Sequence, residues 1–168
     1  MPSLDKNAFL GTLDAEDNLL NDCVILLVED DANDAFFVAR ALKDLGFAGR
    51  VEHVNNTLAA RDYIAGTGRY KDRAEFPMPE IVVSDSILPG QGSGIELLEW
   101  MRKENFTETP FVILSGEISP DVRQRANAAG VQLLCRKGSS FHETSEALRT
   151  ALLQMPAHCR PWLKEARE

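Results

Sequence analysis

Acidic, hydroxyl and basic side chains directly follow separate apolar runs in this chain. They are Glu29, Asp30 and Asp31 after VILLV, Asp85 after EIVVS, Ser115 after FVIL, and Lys137 two residues after VQLLC. Carboxylates that converge on one point repel one another, and a hard divalent cation such as Mg²⁺ relieves that repulsion. An exposed carboxylate in a turn can attack phosphorus, while a metal ion, an ammonium group and a hydroxyl bind the transferred oxygens. These residue types therefore indicate phosphoryl transfer to Asp85, provided that the fold brings them together.

The elements that must position these residues alternate between apolar runs and segments of helical periodicity. Predicted strands cover Val24–Val28, Arg50–Val54, 80–84, 111–114 and 131–135, and predicted helices cover 33–45, 56–65, 95–103, 120–130 and 141–153. This alternation predicts right-handed crossovers and a doubly wound parallel α/β sheet with helices on both faces. Ligands bind at the carboxyl ends of the strands in such sheets, and all of the candidate residues follow strands there.

Two helices carry more detailed expectations. Asn33 and Asp34 are expected to cap the first helix. In the last helix, Ser140 is the expected capping residue, and Phe141, Leu148 and Leu152 are expected to face inward.

Composition limits the class of protein. The chain has 168 residues, 44% of them hydrophobic, and a formal net charge of −8. We expect one globular domain at 23–155, an N-terminal extension at 1–22 and a C-terminal tail at 156–168. The sequence contains no bilayer-length apolar run and no secretory signal, and its acidic balance disfavours bulk nucleic-acid binding. The cysteines Cys23, Cys135 and Cys159 match no zinc pattern and no disulfide framework, which favours a reducing cytoplasm. From the charge and the apolar runs we expect no membrane and no nucleic-acid partner.

Four segments resemble the receiver domain of two-component response regulators, the CheY-like family. VILLVEDDANDA is similar to the first strand and acidic pair of that family, and SDSILPGQGSG to its phospho-acceptor turn. VILSG is similar to the strand that carries the switch hydroxyl, and CRK to the segment that carries the lysine. The 30 positions from Asp85 to Ser115 and the 22 from Ser115 to Lys137 agree with the family spacing, and the similarity covers about residues 22–155.

The resemblance implies a flavodoxin-like fold with strand order 2-1-3-4-5, and a role for each site residue. Asp85 would be the phospho-acceptor, Ser115 the switch hydroxyl and Lys137 the lysine that contacts the phosphoryl group. The ligands of Mg²⁺ would be Glu29, Asp30, Asp85 and the backbone carbonyl of Ile87.

The implied function is a signalling switch. A histidine kinase or a phosphotransfer protein would supply the phosphoryl group, and the domain would catalyse only its own phosphorylation and dephosphorylation. Residues 66–79 and the segment ANDAFFVARAL are similar to a subgroup of stand-alone regulators that includes partners of bacterial phytochrome kinases. Because only about a dozen residues follow the last predicted helix, we expect output through contacts with a downstream protein.

Three positions depart from the family pattern. Gly138 follows the lysine where proline is usual, Leu134 replaces a frequent aromatic switch residue, and Ile87 is apolar where a polar residue is often found. Leu134 makes an aromatic read-out doubtful, so the loop after Ser115 and the helix at 120–129 are expected to carry the conformational signal.

Other interpretations stay open on the sequence. The chain could be a degenerate receiver that acts as a phosphorylation-independent interaction module, or an Mg²⁺-dependent phosphatase, although such enzymes usually carry an acid where Ile87 stands. An acidic pair such as Asp30 and Asp31 is also typical of a helix cap. Apolar residues of the terminal segments predict a possible homodimer: Phe9, Leu13, Leu19, Leu20 and Trp162.

Overall fold

The computed structural model describes residues 23–88, 90, 92–138, 140–157 and 160. The strands are β1 (Val24–Val28), β2 (Arg50–Val54), β3 (Ile81–Asp85), β4 (Phe111–Ser115) and β5 (Leu133–Arg136). The helices are α1 (Ala32–Asp44), α2 (Thr57–Ala65), α3 (Gly94–Lys103), α4 (Pro120–Ala128) and α5 (Phe141–Leu152), and a single 3-10 turn covers Gly68–Tyr70. The segment 1–22 and most of the tail, with the residues named for the homodimer, lie outside the described part of the chain.

The five strands form one parallel sheet in the order β2-β1-β3-β4-β5. This order confirms the flavodoxin-like fold. β1, β3 and β4 lie inside the sheet with helices on both faces, which explains why their sequences are continuous apolar runs rather than alternating ones. β2 and β5 form the edges and are less buried.

Two separate apolar layers hold the helices on the sheet. Alternate residues of a strand point to opposite faces. Ile25 and Leu27 therefore pack with α1 and α5, whereas Val24, Leu26 and Val28 pack with α2, α3 and α4. The result is a three-layer sandwich in which both faces of β1 are fully covered.

Several local expectations need correction. The Asp31 side chain caps α1 by accepting hydrogen bonds from the backbone N–H groups of Asn33 and Asp34, so those two residues are capped rather than capping. Ser140 caps α5 as expected, and Leu148 and Leu152 are buried. Phe141, however, is 43% exposed, and its ring packs edge-to-face on that of Phe37 in α1, with ring centroids 5.2 Å apart, rather than in the core.

The prediction that the cysteines form no disulfide framework is also wrong in part. Cys23 is disulfide-bonded, while Cys135 is free. The cysteines therefore give no argument for a reducing compartment. Among the described helices, none has both the length and the apolar character needed to cross a bilayer.

Gly94 allows the start of α3 to pack against the end of β3. A Cβ at this position would lie 2.2 Å from the carbonyl oxygen of Asp85 and 2.7 Å from Oγ of Ser84. The nearby Gly90 and Gly92 adopt positive φ angles of 90° and 95°. These glycines serve the turn that follows Asp85.

Gly94→Ala should destabilise the fold, because the added methyl group collides with backbone at the end of β3. Overpacking of this kind costs roughly 1–3 kcal/mol in free energy of unfolding, measured by urea denaturation. Gly116→Ala is the matched control, since a Cβ at Gly116 meets no atom within 4 Å. Equal unfolding midpoints for the two variants would contradict the close approach at Gly94.

Candidate functional site

The sheet brings the predicted site residues to one edge. Glu29 and Asp30 follow the last residue of β1, Asp85 and Ser115 end β3 and β4, and Lys137 follows β5. Val28 pairs with Ser84, Asp85 with Leu114, and Ser115 with Arg136, so the strands finish level with one another. The site is therefore a direct consequence of strand order and register.

Three carboxylates gather at this edge. Glu29, Asp30 and Asp85 each offer an oxygen, and these oxygens all lie within 4.8 Å of one another. Glu29 is buried, Asp85 is half-buried and Asp30 is exposed. Burial raises the pKa of Glu29 above its ordinary value, against the opposing effect of a hydrogen bond from Lys137. An all-oxygen donor set of this kind fits a hard divalent cation.

Lys137 lies at the centre of the acidic cluster. Its Nζ donates hydrogen bonds to Glu29 Oε2 at 2.8 Å, to Asp85 Oδ2 at 3.0 Å and to Asp34 Oδ2 at 3.0 Å. Burial alone would lower the pKa of Lys137, but the hydrogen bonds to these carboxylates raise it above its usual value. The ammonium group is therefore charged and neutralises part of the cluster.

Asp34 is a further residue of the acidic cluster, and the sequence pattern did not predict it there. It lies in the first turn of α1, four positions after Asp30, and its carboxylate is mostly exposed apart from the contact with Lys137. The signal available in the sequence was this helical spacing from the acidic pair. Its partner Lys137 is 103 residues away, so the local sequence indicates only a helix-capping role for Asp34.

Ser115 reaches the predicted edge, but its hydroxyl is directed elsewhere. Among the hydrogen bonds of the described residues, Ser115 Oγ donates to the Glu117 carbonyl at 2.6 Å and lies 2.5 Å from Ser86 Oγ. Among these hydrogen bonds, none joins that hydroxyl to Asp85 or to the Lys137 side chain, although the Ser115 carbonyl accepts from the Lys137 N–H. Ser86 is a second residue that the sequence analysis missed, because nothing in its local sequence marks it as buried.

The three departures from the family pattern have distinct environments. Ile87 is 67% exposed beside Asp85, and its N–H donates to Asp85 Oδ1 at 3.2 Å. Leu134 is half-buried against the layer that contains α3 and α4. At Gly138 a Cβ would lie 2.2 Å from Cβ of Glu143, so glycine lets α5 begin close to the strand end.

Chemically, the site combines a nucleophile with positive charge. Asp85 keeps an accessible carboxylate with 15% side-chain exposure, next to an ammonium group and two further acids. A phosphoryl group on Asp85 would bring additional negative charge, which Lys137 and a cation can balance. The geometry therefore supports acceptance of a phosphoryl group better than binding of a neutral ligand.

Comparison with known proteins identifies the family. Residues 25–149 match the model of the response regulator receiver domain. The probable methanogenesis regulatory protein FilR2 of Methanothrix harundinacea is 33% identical over 131 residues, which cover 78% of this chain and 79% of that protein. The two-component response regulator ARR17 of Arabidopsis thaliana is 30% identical over 132 residues, which cover 77% of this chain and 84% of the relative. The chain belongs to the response regulator receiver domain family.

Solved structures share the fold. The phosphorylated cyanobacterial phytochrome response regulator RcpA superposes with a TM-score of 0.69 at 22% identity, and the Mn²⁺-bound response regulator Rcp1 with 0.68 at 23% identity. Each comparison covers 77% of this chain and 91% of the other. The bacteriophytochrome response regulator AtBRR gives a TM-score of 0.63 at 27% identity, over 76% of this chain and 90% of its own.

Lys137→Met should destabilise the metal-free protein, because three carboxylates lose their shared counter-charge. Removing one partner of a buried ion pair costs about 3–5 kcal/mol, and Lys137 retains 19% side-chain exposure, so we expect roughly 2 kcal/mol. Urea denaturation in the presence of a chelator measures the loss. Arg125→Met is the control, since its pair with Glu99 is exposed and is worth about 0–1 kcal/mol. Equal losses in the two variants would show that Lys137 does not stabilise the cluster.

Proposed function

We propose that this receiver domain is a phospho-acceptor switch that takes a phosphoryl group onto Asp85. The observation that carries the proposal is the position of the Asp85 carboxylate, 3.0 Å from the Lys137 ammonium and within the same cluster as Glu29 and Asp30. Membership of the receiver family supports it. So does the solved structure of RcpA, which is described as phosphorylated.

In the proposed reaction, an Asp85 carboxylate oxygen attacks the phosphorus atom of a phosphohistidine. The Asp85 O–P bond forms, the histidine N–P bond breaks, and the bond electrons leave with the imidazole nitrogen. Asp85 Oδ2 bonds to Lys137 and Oδ1 accepts from the Ile87 N–H, so backbone and side chain orient the nucleophile before the donor arrives. Lys137 then balances charge on the phosphoryl oxygens as a point charge.

The acidic cluster fits Mg²⁺ as the resident cation. Glu29, Asp30 and Asp85 would hold it, together with the backbone carbonyl of Ile87. When bound, Mg²⁺ supplies positive charge that stabilises the phosphoryl oxygens. The oxygen-only donor set, with one oxygen from each of the three carboxylates within 4.8 Å of the others, supports a cation here. A Mn²⁺-bound structure exists for the fold relative Rcp1.

The proposed partners are a histidine kinase or phosphotransfer protein and a downstream protein. The likeness to AtBRR, described as a bacteriophytochrome response regulator, supports a kinase of the phytochrome class.

The formal charge of −8 gives no support to bulk nucleic-acid binding. We propose a cytoplasmic location, shared with the kinase. Chemistry would be limited to self-phosphorylation and dephosphorylation. The exposed Ile87 offers no general acid for turnover of phosphate esters.

Asp85→Asn should abolish labelling by acetyl phosphate with Mg²⁺ while leaving the fold intact, because an amide is nearly isosteric with the carboxylate but a poor nucleophile. Intact-mass spectrometry counts the phosphoryl groups. The exposed Asp44→Asn serves as the control and should label like the wild type. Labelling of Asp85→Asn at the wild-type rate would show that the acceptor is another residue. Absence of labelling in the wild type would instead favour an interaction module, and rapid phosphate release a phosphatase.

Mg²⁺ should raise the free energy of unfolding, because it binds the folded chain and relieves repulsion within the cluster. A concentration of 100 times the dissociation constant would add about 2.7 kcal/mol. Asp30→Ala should lose most of this gain, whereas Asp44→Ala should keep it. Thermal melts with and without Mg²⁺ measure the difference. A wild-type midpoint that does not respond to Mg²⁺ would refute the metal site.

A further inference from the structure

Ser86 places a second buried hydroxyl beside the switch hydroxyl. It follows Asp85 directly and is 4% exposed, while Ser115 is fully buried. Their Oγ atoms lie 2.5 Å apart, within hydrogen-bond distance. The two residues belong to neighbouring strand ends, so the contact joins the loop after β3 to the loop after β4.

The direction of each hydrogen bond follows from counting protons. A serine hydroxyl has one proton, and Ser115 donates its proton to the carbonyl oxygen of Glu117, which can only accept. Ser86 must therefore be the donor in the bond to Ser115. The N–H of Glu117 also donates to Ser115 Oγ at 3.3 Å. The Ser115 hydroxyl thus makes three hydrogen bonds, and none of them is to Asp85 or Lys137.

We infer that Ser86 is a positioning residue that holds Ser115 in the orientation unsuited to phosphoryl binding. This inference rests on the proposed function and on the role of switch hydroxyl that the family resemblance implies for Ser115, which would turn toward a phosphoryl group on Asp85. That turn must break the bond from Ser86. It also leaves the Ser86 hydroxyl buried beside the loop without its acceptor, which is unfavourable for a buried polar group. Ser86 therefore biases the switch toward its unphosphorylated state.

The bias has a predictable size. A ligand that binds only the turned state has an apparent affinity reduced by the fraction of molecules in that state. The hydrogen bond from Ser86 to Ser115 is specific to the state in which Ser115 has not turned. Its loss should raise the fraction of molecules in the turned state about fivefold, which corresponds to ~1 kcal/mol. Ser86→Ala removes that bond and leaves no unpaired hydroxyl when Ser115 turns.

The test is calorimetric titration of the full chain with beryllium fluoride in the presence of Mg²⁺, a phosphoryl mimic that needs no covalent step. Ser86→Ala should bind about fivefold more tightly than the wild type, and Ser115→Ala more weakly. In the double variant, Ser86→Ala should add nothing to Ser115→Ala, because the two effects share one hydrogen bond. Ser84→Ala removes a buried hydroxyl of β3 that bonds to the Asp85 carbonyl and should bind like the wild type.

Unchanged or weaker binding by Ser86→Ala would overturn the inference, and weaker binding would indicate that Ser86 itself contacts the phosphoryl group. An equal gain in Ser84→Ala would also overturn it, since the effect would then be general to buried hydroxyls of β3. If the wild type does not bind the mimic, the proposed function fails separately. The shifts in urea midpoint then decide on the hydrogen bond: non-additive shifts of the two serine variants support it, and additive shifts overturn it.

Discussion

The rest of the site depends on the ion pairs that the ammonium group of Lys137 forms with three carboxylates. This ammonium group balances carboxylates of Glu29, Asp34 and Asp85 at 2.8–3.0 Å, and without it these groups would repel one another at a half-buried strand edge. The negative charge of such a cluster can be neutralised in two ways. In one, lysine alone neutralises the acids. In the other, which belongs to the proposed function, a cation would share that role and free the ammonium group for a phosphoryl group on Asp85.

This interaction exists only because the sheet has its particular order. Lys137 is separated by 108 positions from Glu29 and by 52 from Asp85. β1 and β3 are neighbours, so their ends place the acids together, and β4 and β5 continue the edge to the lysine. Gly94 and Gly138 let helices begin within contact distance of these strand ends, where a larger residue would clash. Burial of the apolar strands on both faces therefore sets the positions of charged groups at the rim.

A second, uncharged network lies beneath the charged one. Asp85 is directed to the acidic cluster, whereas its neighbour Ser86 is buried and bonds to Ser115. Adjacent residues of an extended chain point in opposite directions, so one strand end contacts both networks. A covalent change at Asp85 would therefore act on the pair of hydroxyl groups through the peptide bond that joins Asp85 to Ser86. Leu134 is only half-buried and aliphatic, so under the proposed function this hydroxyl pair and the loop after Ser115 would connect Asp85 to α4.

The sequence alone was sufficient for the fold class, for the strand order implied by the family resemblance, and for the five residues that the strand ends bring to one edge of the sheet: Glu29, Asp30, Asp85, Ser115 and Lys137. Apolar runs and their spacing can be read directly from the order of residues along the chain. The sequence did not reveal Asp34 as a partner of Lys137, or Ser86 as a partner of Ser115, because each pair joins distant segments whose contact depends on register and side-chain direction. It also placed Phe141 inward and left Cys23 unpaired. The apolar pattern of a helix says which face is buried, but only the packed structure decides where the covering layer ends. Tertiary structure likewise decides which buried hydroxyl finds which acceptor, because every buried polar group must be satisfied by whatever the fold brings within reach.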